Sequence, residues 1–429
     1  MYVLYSLLLA CVAILSLPWW LLQMLRLGKY RAGLAERLGF VPARLKNNAR
    51  TGSIWVHAVS VGEVLAVSRL IAELKDAYPA TEIFVSTTTA TGQRLARERF
   101  GKSQCFLMPL DVGFAVRAYL KALQPRMLLL AETELWPNLL HLACKRGAAI
   151  AIVNARISDR SFPRYRRFGW FFRPVLANVD LFLTQTAADA ERLRQIGAAS
   201  DRIQVSGNLK FDIRPQTSSR LAEGLRAALP EGSPAMVFGS TAEGEEEIVL
   251  DAFQQVLKKF GRATMVLAPR HPERFDKVAN LIAARGIPFV RRSQWPRAGT
   301  LGGCVFLLDS VGDLASVYAI ADVAFVGGSL VPVGGHNILE PAQYGAALIV
   351  GPHTFNFREI ISIFEKGGAI RIAGAENLTG LLLDLLGDPE GRRRLGQRAK
   401  ALFEQYAGAT QRTLQALRPL LAPRGEKDQ

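Results

Sequence analysis

A chain of 429 residues exceeds what one hydrophobic core usually organises, so two domains are expected. Apolar residues at 49% argue against disorder, and four cysteines (Cys11, Cys105, Cys144, Cys304) at spacings that fit neither a metal pattern nor a disulfide framework suit a reducing compartment. The formal charge of +16, from 53 Lys+Arg against 37 Asp+Glu, calls for anionic partners: phosphorylated small molecules or an acidic lipid surface. Nucleic acid is not expected, because the basic residues carry no recognisable reading motif.

The chain opens on an uncharged run, residues 2–25, long enough to cross a bilayer core although Pro18 interrupts it. Basic residues follow the run (Arg26, Lys29, Arg31, Arg37, Arg44, Lys46, Arg50), where a secretory signal would place them before it. The positive-inside rule then puts the globular part in the cytoplasm, with Trp19 and Trp20 at the interface. A helix lying in the membrane plane is the other reading. Both place the protein at a membrane.

From Ser53 onward, short β-branched runs alternate with amphipathic stretches. Strands are predicted over 54–59, 82–87, 105–108, 127–131, 149–153, 181–184 and 203–206. Helical stretches lie between them, such as 62–77 with Leu65, Leu70 and Leu74 on one side. The segment 212–220 breaks the alternation, which resumes with strands over 235–238, 264–267, 288–291, 305–308, 323–326, 348–350 and 369–372. The expected fold is α/β, two Rossmann-like domains of doubly wound parallel sheet facing a cleft. Its parts are an anchor at 1–25, a first domain at 26–212, a linker at 213–220 and a second domain at 221–423. Ligands of such sheets bind beyond the carboxyl ends of strands.

Several motifs fall at those ends. In His57-Ala-Val-Ser60-Val-Gly62-Glu63 a strand turns into a helix, and Glu63 reads either as helix-capping chemistry or as a base that takes a proton from an attacking hydroxyl. Glu132-Thr-Glu134-Leu-Trp136-Pro137 sets two acids after an apolar strand, a pairing that capping alone explains poorly. The stretch from Asn154 to Arg167 carries five arginines (Arg156, Arg160, Arg164, Arg166, Arg167) with Ser158, and reads as a solvated basic face or as a phosphate or membrane contact. Lys210 adds a cation at the domain junction.

In the second half, Gly239-Ser240-Thr241 precedes a helix whose start could hold an anion, and Arg270 with His271 follows a strand. The most specific stretch is Gly327-Gly328-Ser329 to Gly334-Gly335-His336-Asn337-Ile338-Leu339-Glu340. Its exposed amides are expected to bind phosphate, and Glu340 to accept hydrogen bonds from ribose hydroxyls. It is not the dinucleotide fingerprint.

Six motifs in order, SVGE at 60–63, ETELWPN at 132–138, NARIS at 154–158, GNLKFD at 207–212, PRHPERF at 269–275 and GGHNILEPA at 334–342, resemble the Kdo (3-deoxy-manno-octulosonic acid) transferase family over essentially the whole chain. The resemblance implies a GT-B fold and inverting, metal-independent transfer of Kdo from CMP-Kdo to the lipid A precursor at the cytoplasmic face of the inner membrane. It implies Glu63 as general base and Arg270, beside His271, on the CMP phosphate. Gly312, Asp313 and Leu314 would frame the nucleoside together with Gly334, Gly335, Asn337, Ile338, Leu339 and Glu340. Glu134, Arg156, Ser158, Lys210 and Ser240 would support the acceptor or the transition state. One departure is Ala242, where the family often carries a basic or imidazole side chain. The competing readings are a UDP-sugar transferase or epimerase and a non-catalytic protein that binds anionic lipid.

Overall fold

The computed structural model describes residues 2, 4–9, 11–12, 15–16, 33–45, 52–212, 219–295 and 300–421. The chain forms two compact units, Met1–Asp212 with Ala407–Gln429, and Ile213–Tyr406. The first contains β1 (Ser53–His57), β2 (Ile83–Thr87), β3 (Cys105–Leu107), β4 (Pro125–Ala131), β5 (Ala149–Ala155), β6 (Leu181–Thr184) and β7 (Ile203–Val205). They pair in parallel in the order β3-β2-β1-β4-β5-β6-β7. Helices cover both faces, so β1, β2, β5 and β6 are buried along their whole length, as the continuous apolar runs require.

The second unit repeats the plan with β8 (Ala235–Thr241), β9 (Thr264–Pro269), β10 (Phe289–Arg291), β11 (Val305–Leu307), β12 (Val323–Val326), β13 (Ala347–Val350) and β14 (Arg371–Ile372). Its order is β10-β11-β9-β8-β12-β13-β14, again parallel throughout. Each sheet therefore has a central reversal of strand order, between β1 and β4 in the first and between β8 and β12 in the second, where β10 and β11 also change places at the edge. Loops leaving the two strands at a reversal run to opposite faces and leave the strand ends open to a ligand.

Two expectations need correction. Leu65 does not share the buried side of helix Val61–Ala77: it is exposed, and the core stripe is Val64, Val67, Leu70, Ile71 and Leu74. The second domain does not run to residue 423. Helix Ala409–Leu421 lies against the first sheet and sends Ala409, Leu414, Leu417 and Leu421 into the same core as Leu70, Met127 and Leu129. The buried Asp212 carboxylate fastens it, accepting the amide of Gly408 at 2.5 Å and that of Thr410.

At the N-terminus, no helix among the described residues is long and apolar enough to cross a membrane. Residues 3, 10, 13–14 and 17–25 of the expected span lie outside the described residues, as do 213–218 of the expected linker. Described residues before them pack on the first unit: Tyr2 stacks on His141 and donates to the Pro174 carbonyl, and Ser6 pairs with Asn138. Leu4, Leu7, Leu8, Val12 and Leu15 point to solvent.

Removing the Asp212 cap should loosen the returning helix. Asp212→Ala is expected to cost about 0.5–2 kcal/mol and Leu417→Ala, which empties a fully buried site, about 2–5 kcal/mol. Both should appear as a lower urea midpoint of the first unit.

Candidate active site

At the reversal of the first sheet, three carboxylates gather beyond the ends of β1 and β4. Glu63 sits in the first turn of helix Val61–Ala77, where Ser60 caps the helix. Its Oε2 accepts the Val59 amide at 2.7 Å and its Oε1 the Ser60 hydroxyl at 2.9 Å. This is capping geometry, and it fixes the carboxylate in one rotamer while leaving lone pairs unused. The capping and the proton-accepting readings are therefore compatible. Burial raises the Glu63 carboxyl above its ordinary value, the Val59 amide opposes this, and the neighbouring charge of Glu132 adds to the rise while Lys210 lowers it.

Glu132 adopts a left-handed backbone (φ 58°) directly after β4, a conformation that a non-glycine residue holds only when its surroundings impose it. Its amide donates to the Val153 carbonyl at 2.9 Å, and its Oε1 pairs with Lys210 Nζ at 3.4 Å. Glu134 follows two residues later, and burial, then Glu63, then Glu132 push its carboxyl up to about 7. Between the two acids, Thr133 Oγ1 donates to the Arg156 carbonyl at 2.6 Å and accepts the Arg156 amide at 3.0 Å, tying this loop to the one after β5. Burial, then the nearby charge of Glu134, raise the Tyr165 phenol.

Asn154 opens the arginine-bearing stretch, where nothing in the sequence assigned it a role of its own. It too is left-handed (φ 55°), and its Oδ1 accepts the Leu209 amide at 3.0 Å, which seats the turn that carries Lys210. An amide side chain at the end of a strand is the signal that could have found it. Ser158 closes a local turn with Ser161 at 2.8 Å, and Arg160, Arg164, Arg166 and Arg167 are exposed. Ser158 and these arginines form a surface beside the acid cluster, with no described hydrogen bond to it.

In the second unit, Arg270 is exposed after β9, with His271 next to it. Burial, then Arg270 and His271, lower His336 to about 4, so this imidazole is neutral at physiological pH. Glu340 is raised by burial and lowered by a hydrogen bond from Asn337 and by Arg270. Arg270, His336, Asn337 and Glu340 thus form one polar group beside the β8/β12 reversal. Gly334 and Gly335 have φ of 107° and 76°, and a Cβ at Gly334 would lie 2.4 Å from Asn356 Nδ2.

Two donor-side expectations change. The side chains of Ile338 and Leu339 are fully buried core groups, so only their main chain can meet a ligand. The amides of Gly328, Ser329 and Leu330 do not face a ligand either, because they donate to the buried Glu245 carboxylate. Gly312 is exposed with open space around it, Asp313 accepts the Ser310 hydroxyl at 2.6 Å, and Leu314 starts the short helix Leu314–Val317. Ser240 is left-handed (φ 56°) at the end of β8.

Two doubly wound parallel sheets, each with polar groups at a strand-order reversal, make an α/β architecture of GT-B type. The fold agrees with a UDP-GlcNAc 2-epimerase from Neisseria meningitidis bound to UDP-GlcNAc (TM-score 0.55, 12% identity, 86% of this chain and 100% of that one). A family profile described as 3-deoxy-D-manno-octulosonic-acid transferase (kdotransferase) matches residues 32–213. The chain is 36% identical to the 3-deoxy-D-manno-octulosonic acid transferase of Haemophilus influenzae over 92% of both chains. It is also 36% identical to that of Bordetella pertussis, over 88% of this chain and 91% of the relative. The chain belongs to the 3-deoxy-D-manno-octulosonic acid transferase family and is a glycosyltransferase.

Glu134 makes stability depend on pH. Because its folded value of about 7 exceeds the ordinary 4.5, its contribution to stability is fully present below 4.5 and is lost as pH rises through 7. Glu134→Gln cannot ionise, so the variant should gain stability over the wild type progressively across that window, as followed by thermal melts at stepped pH. Equal melting shifts at both ends would contradict the cluster. Lys210→Met should raise the Glu63 carboxyl further, measurable by carbon-detected NMR titration.

Proposed function

We propose that the chain transfers Kdo from CMP-Kdo to the lipid A precursor, lipid IVA, with inversion and without a metal ion, at the cytoplasmic face of the inner membrane. Glu63 is the general base. The observation that carries this is the acid cluster at the first sheet's reversal, in which a carboxylate is fixed by two hydrogen bonds and raised by burial and a like-charged neighbour. Raising a carboxyl toward the working pH makes its anion a stronger proton acceptor.

In a single displacement, an acceptor hydroxyl oxygen bonds to the anomeric carbon of Kdo as its proton passes to Glu63, and the bond from that carbon to the CMP phosphate oxygen breaks. CMP leaves with the electron pair, and Arg270 is suited to stabilise the charge that develops on its phosphate. Glu340 and Asn337 are assigned to the ribose, Gly312, Asp313 and Leu314 to the base, and Lys210 and Glu134 to the acceptor side. The relatives named for Kdo transfer support the sugar, and the ordered motifs support the donor and acceptor.

Membrane attachment is supported by the uncharged run at 2–25 with basic residues after it. It is supported further by the exposed leucines near the N-terminus and by exposed Trp170 and Phe168 beside the arginine-bearing helix Phe162–Arg167 on the same unit.

Purified protein incubated with CMP-Kdo and tetraacylated lipid A precursor should add the mass of Kdo to the lipid and release CMP, both read by mass spectrometry. Release of UDP from UDP-sugars instead would transfer the assignment to the competing nucleotide. Glu63→Gln should lower kcat by at least about a hundredfold with the melting profile kept. Near wild-type turnover in that variant would remove Glu63 from the mechanism.

A further inference from the structure

Glu245 is the first residue of helix Glu245–Lys259 and has no solvent exposure. Each carboxylate oxygen accepts two backbone amides: Oε1 those of Ser329 (2.8 Å) and Leu330 (2.7 Å), Oε2 those of Gly328 (2.7 Å) and Ala242 (2.8 Å). A buried carboxylate is costly unless its acceptor sites are filled, and four amides fill them. The helix N-terminus adds a favourable dipole. Gly327 makes the approach possible, since a Cβ there would lie 2.8 Å from Glu245 Oε2 and 2.6 Å from the Ser240 carbonyl.

The loops that Glu245 joins follow β8 and β12, the two strands at the reversal of the second sheet. The linkage goes further. Ser329 Oγ accepts the Gly351 amide at 2.8 Å and the Ser329 carbonyl accepts the His353 amide at 2.9 Å, which adds the loop after β13. The Arg270 amide donates to the Thr241 carbonyl at 2.9 Å, which adds the loop after β9. The Gly335 amide donates to the Gly328 carbonyl at 2.7 Å, so the segment that carries His336, Asn337 and Glu340 starts from the same loop.

We propose that Glu245 is the resident anion of the donor-side glycine loop. It is a positioning residue that saturates the amides of Ala242, Gly328, Ser329 and Leu330, so that the donor phosphate is held elsewhere, by Arg270 and the segment from Gly335 onward. The proposal rests on the donor assignment above. Through these four hydrogen bonds Glu245 sets where Arg270, Asn337 and Glu340 stand, and it acts on donor binding without touching the reacting atoms. Glu245→Gln turns one acceptor oxygen into an NH2 group facing two N–H donors, which opens the loop at little change in volume.

Amide hydrogen exchange of the wild-type chain, with and without saturating CMP, tests this directly. The four amides should exchange slowly without nucleotide and change by less than about threefold on adding CMP, while amides between Gly335 and Glu340 gain protection. Fast exchange of the four alone, with strong protection by CMP, would mean that they bind the nucleotide phosphate and would overturn the proposal. In Glu245→Gln, the Kd for CMP by calorimetry and the donor KM should rise by about tenfold or more, with kcat at saturating donor within about threefold. That split is opposite to the one expected of Glu63→Gln. Unchanged CMP affinity in the folded variant would also overturn it, and if the variant fails to fold the exchange experiment decides. If the wild type binds UDP and not CMP, the donor assignment fails, while exchange measured with UDP still decides the role of Glu245.

Discussion

The constraint on which the rest depends is that each sheet is parallel throughout and covered on both faces. A strand buried along its length leaves little room for a charged side chain except past its ends, and the few polar groups it carries, such as His57 and Ser86, bond to one another. Where strand order reverses, the connections on the two sides diverge and leave those ends uncovered. Both units follow this rule. Glu63 and Glu132–Glu134 stand past β1 and β4, Ser240 at the end of β8, and Glu245 and the glycine loop past β8 and β12. The polar groups are thus placed by topology first and by side-chain contacts second.

Glutamates in the first turn of the helix after the first strand of each sheet meet burial in opposite ways. Glu63 accepts two hydrogen bonds and faces a like charge, so the balance between its protonated and ionised forms is left adjustable. Glu245 accepts four amides and serves as part of the frame. Proton transfer needs the first arrangement, because a carboxylate with every acceptor site filled has none left for a substrate hydroxyl. Holding loops in register needs the second. Hydrogen-bond saturation, more than residue type or depth, separates the two tasks.

Much of this was legible in the sequence. All fourteen strands overlap the β-branched runs that announced them, thirteen with ends within two residues and β8 running three residues further, because a doubly covered strand must be largely apolar. The paired acids at Glu132 and Glu134 stood out because capping needs only one. What escaped were long-range pairings. Periodicity marks helix Ala409–Leu421 as amphipathic but cannot name the sheet it covers, and its partner Asp212 lies almost two hundred residues earlier. Glu245 was hidden in the acidic run Glu243–Glu247, which reads as ordinary complement to a helix dipole, and the glycine loop looked like open anion-binding backbone because the anion comes from 83 residues upstream. Asn154 and Glu132 depend on left-handed backbone, which neither composition nor spacing reveals.

The large positive charge of the chain also takes on a more specific meaning. Were it spread evenly, it would depress the carboxyls at the first reversal and make them poor proton acceptors. Arg160, Arg164, Arg166 and Arg167 after β5 instead face solvent, and Lys210 is a cation that lowers Glu63. Exposed arginines project a field that fades over about 8 Å at physiological salt, which is enough to raise the local concentration of anionic partners. Buried acids respond to what touches them: each other, a few amides and one ammonium group. The chain can therefore attract negative charge from outside while keeping, within the site, carboxylates whose affinity for a proton is raised.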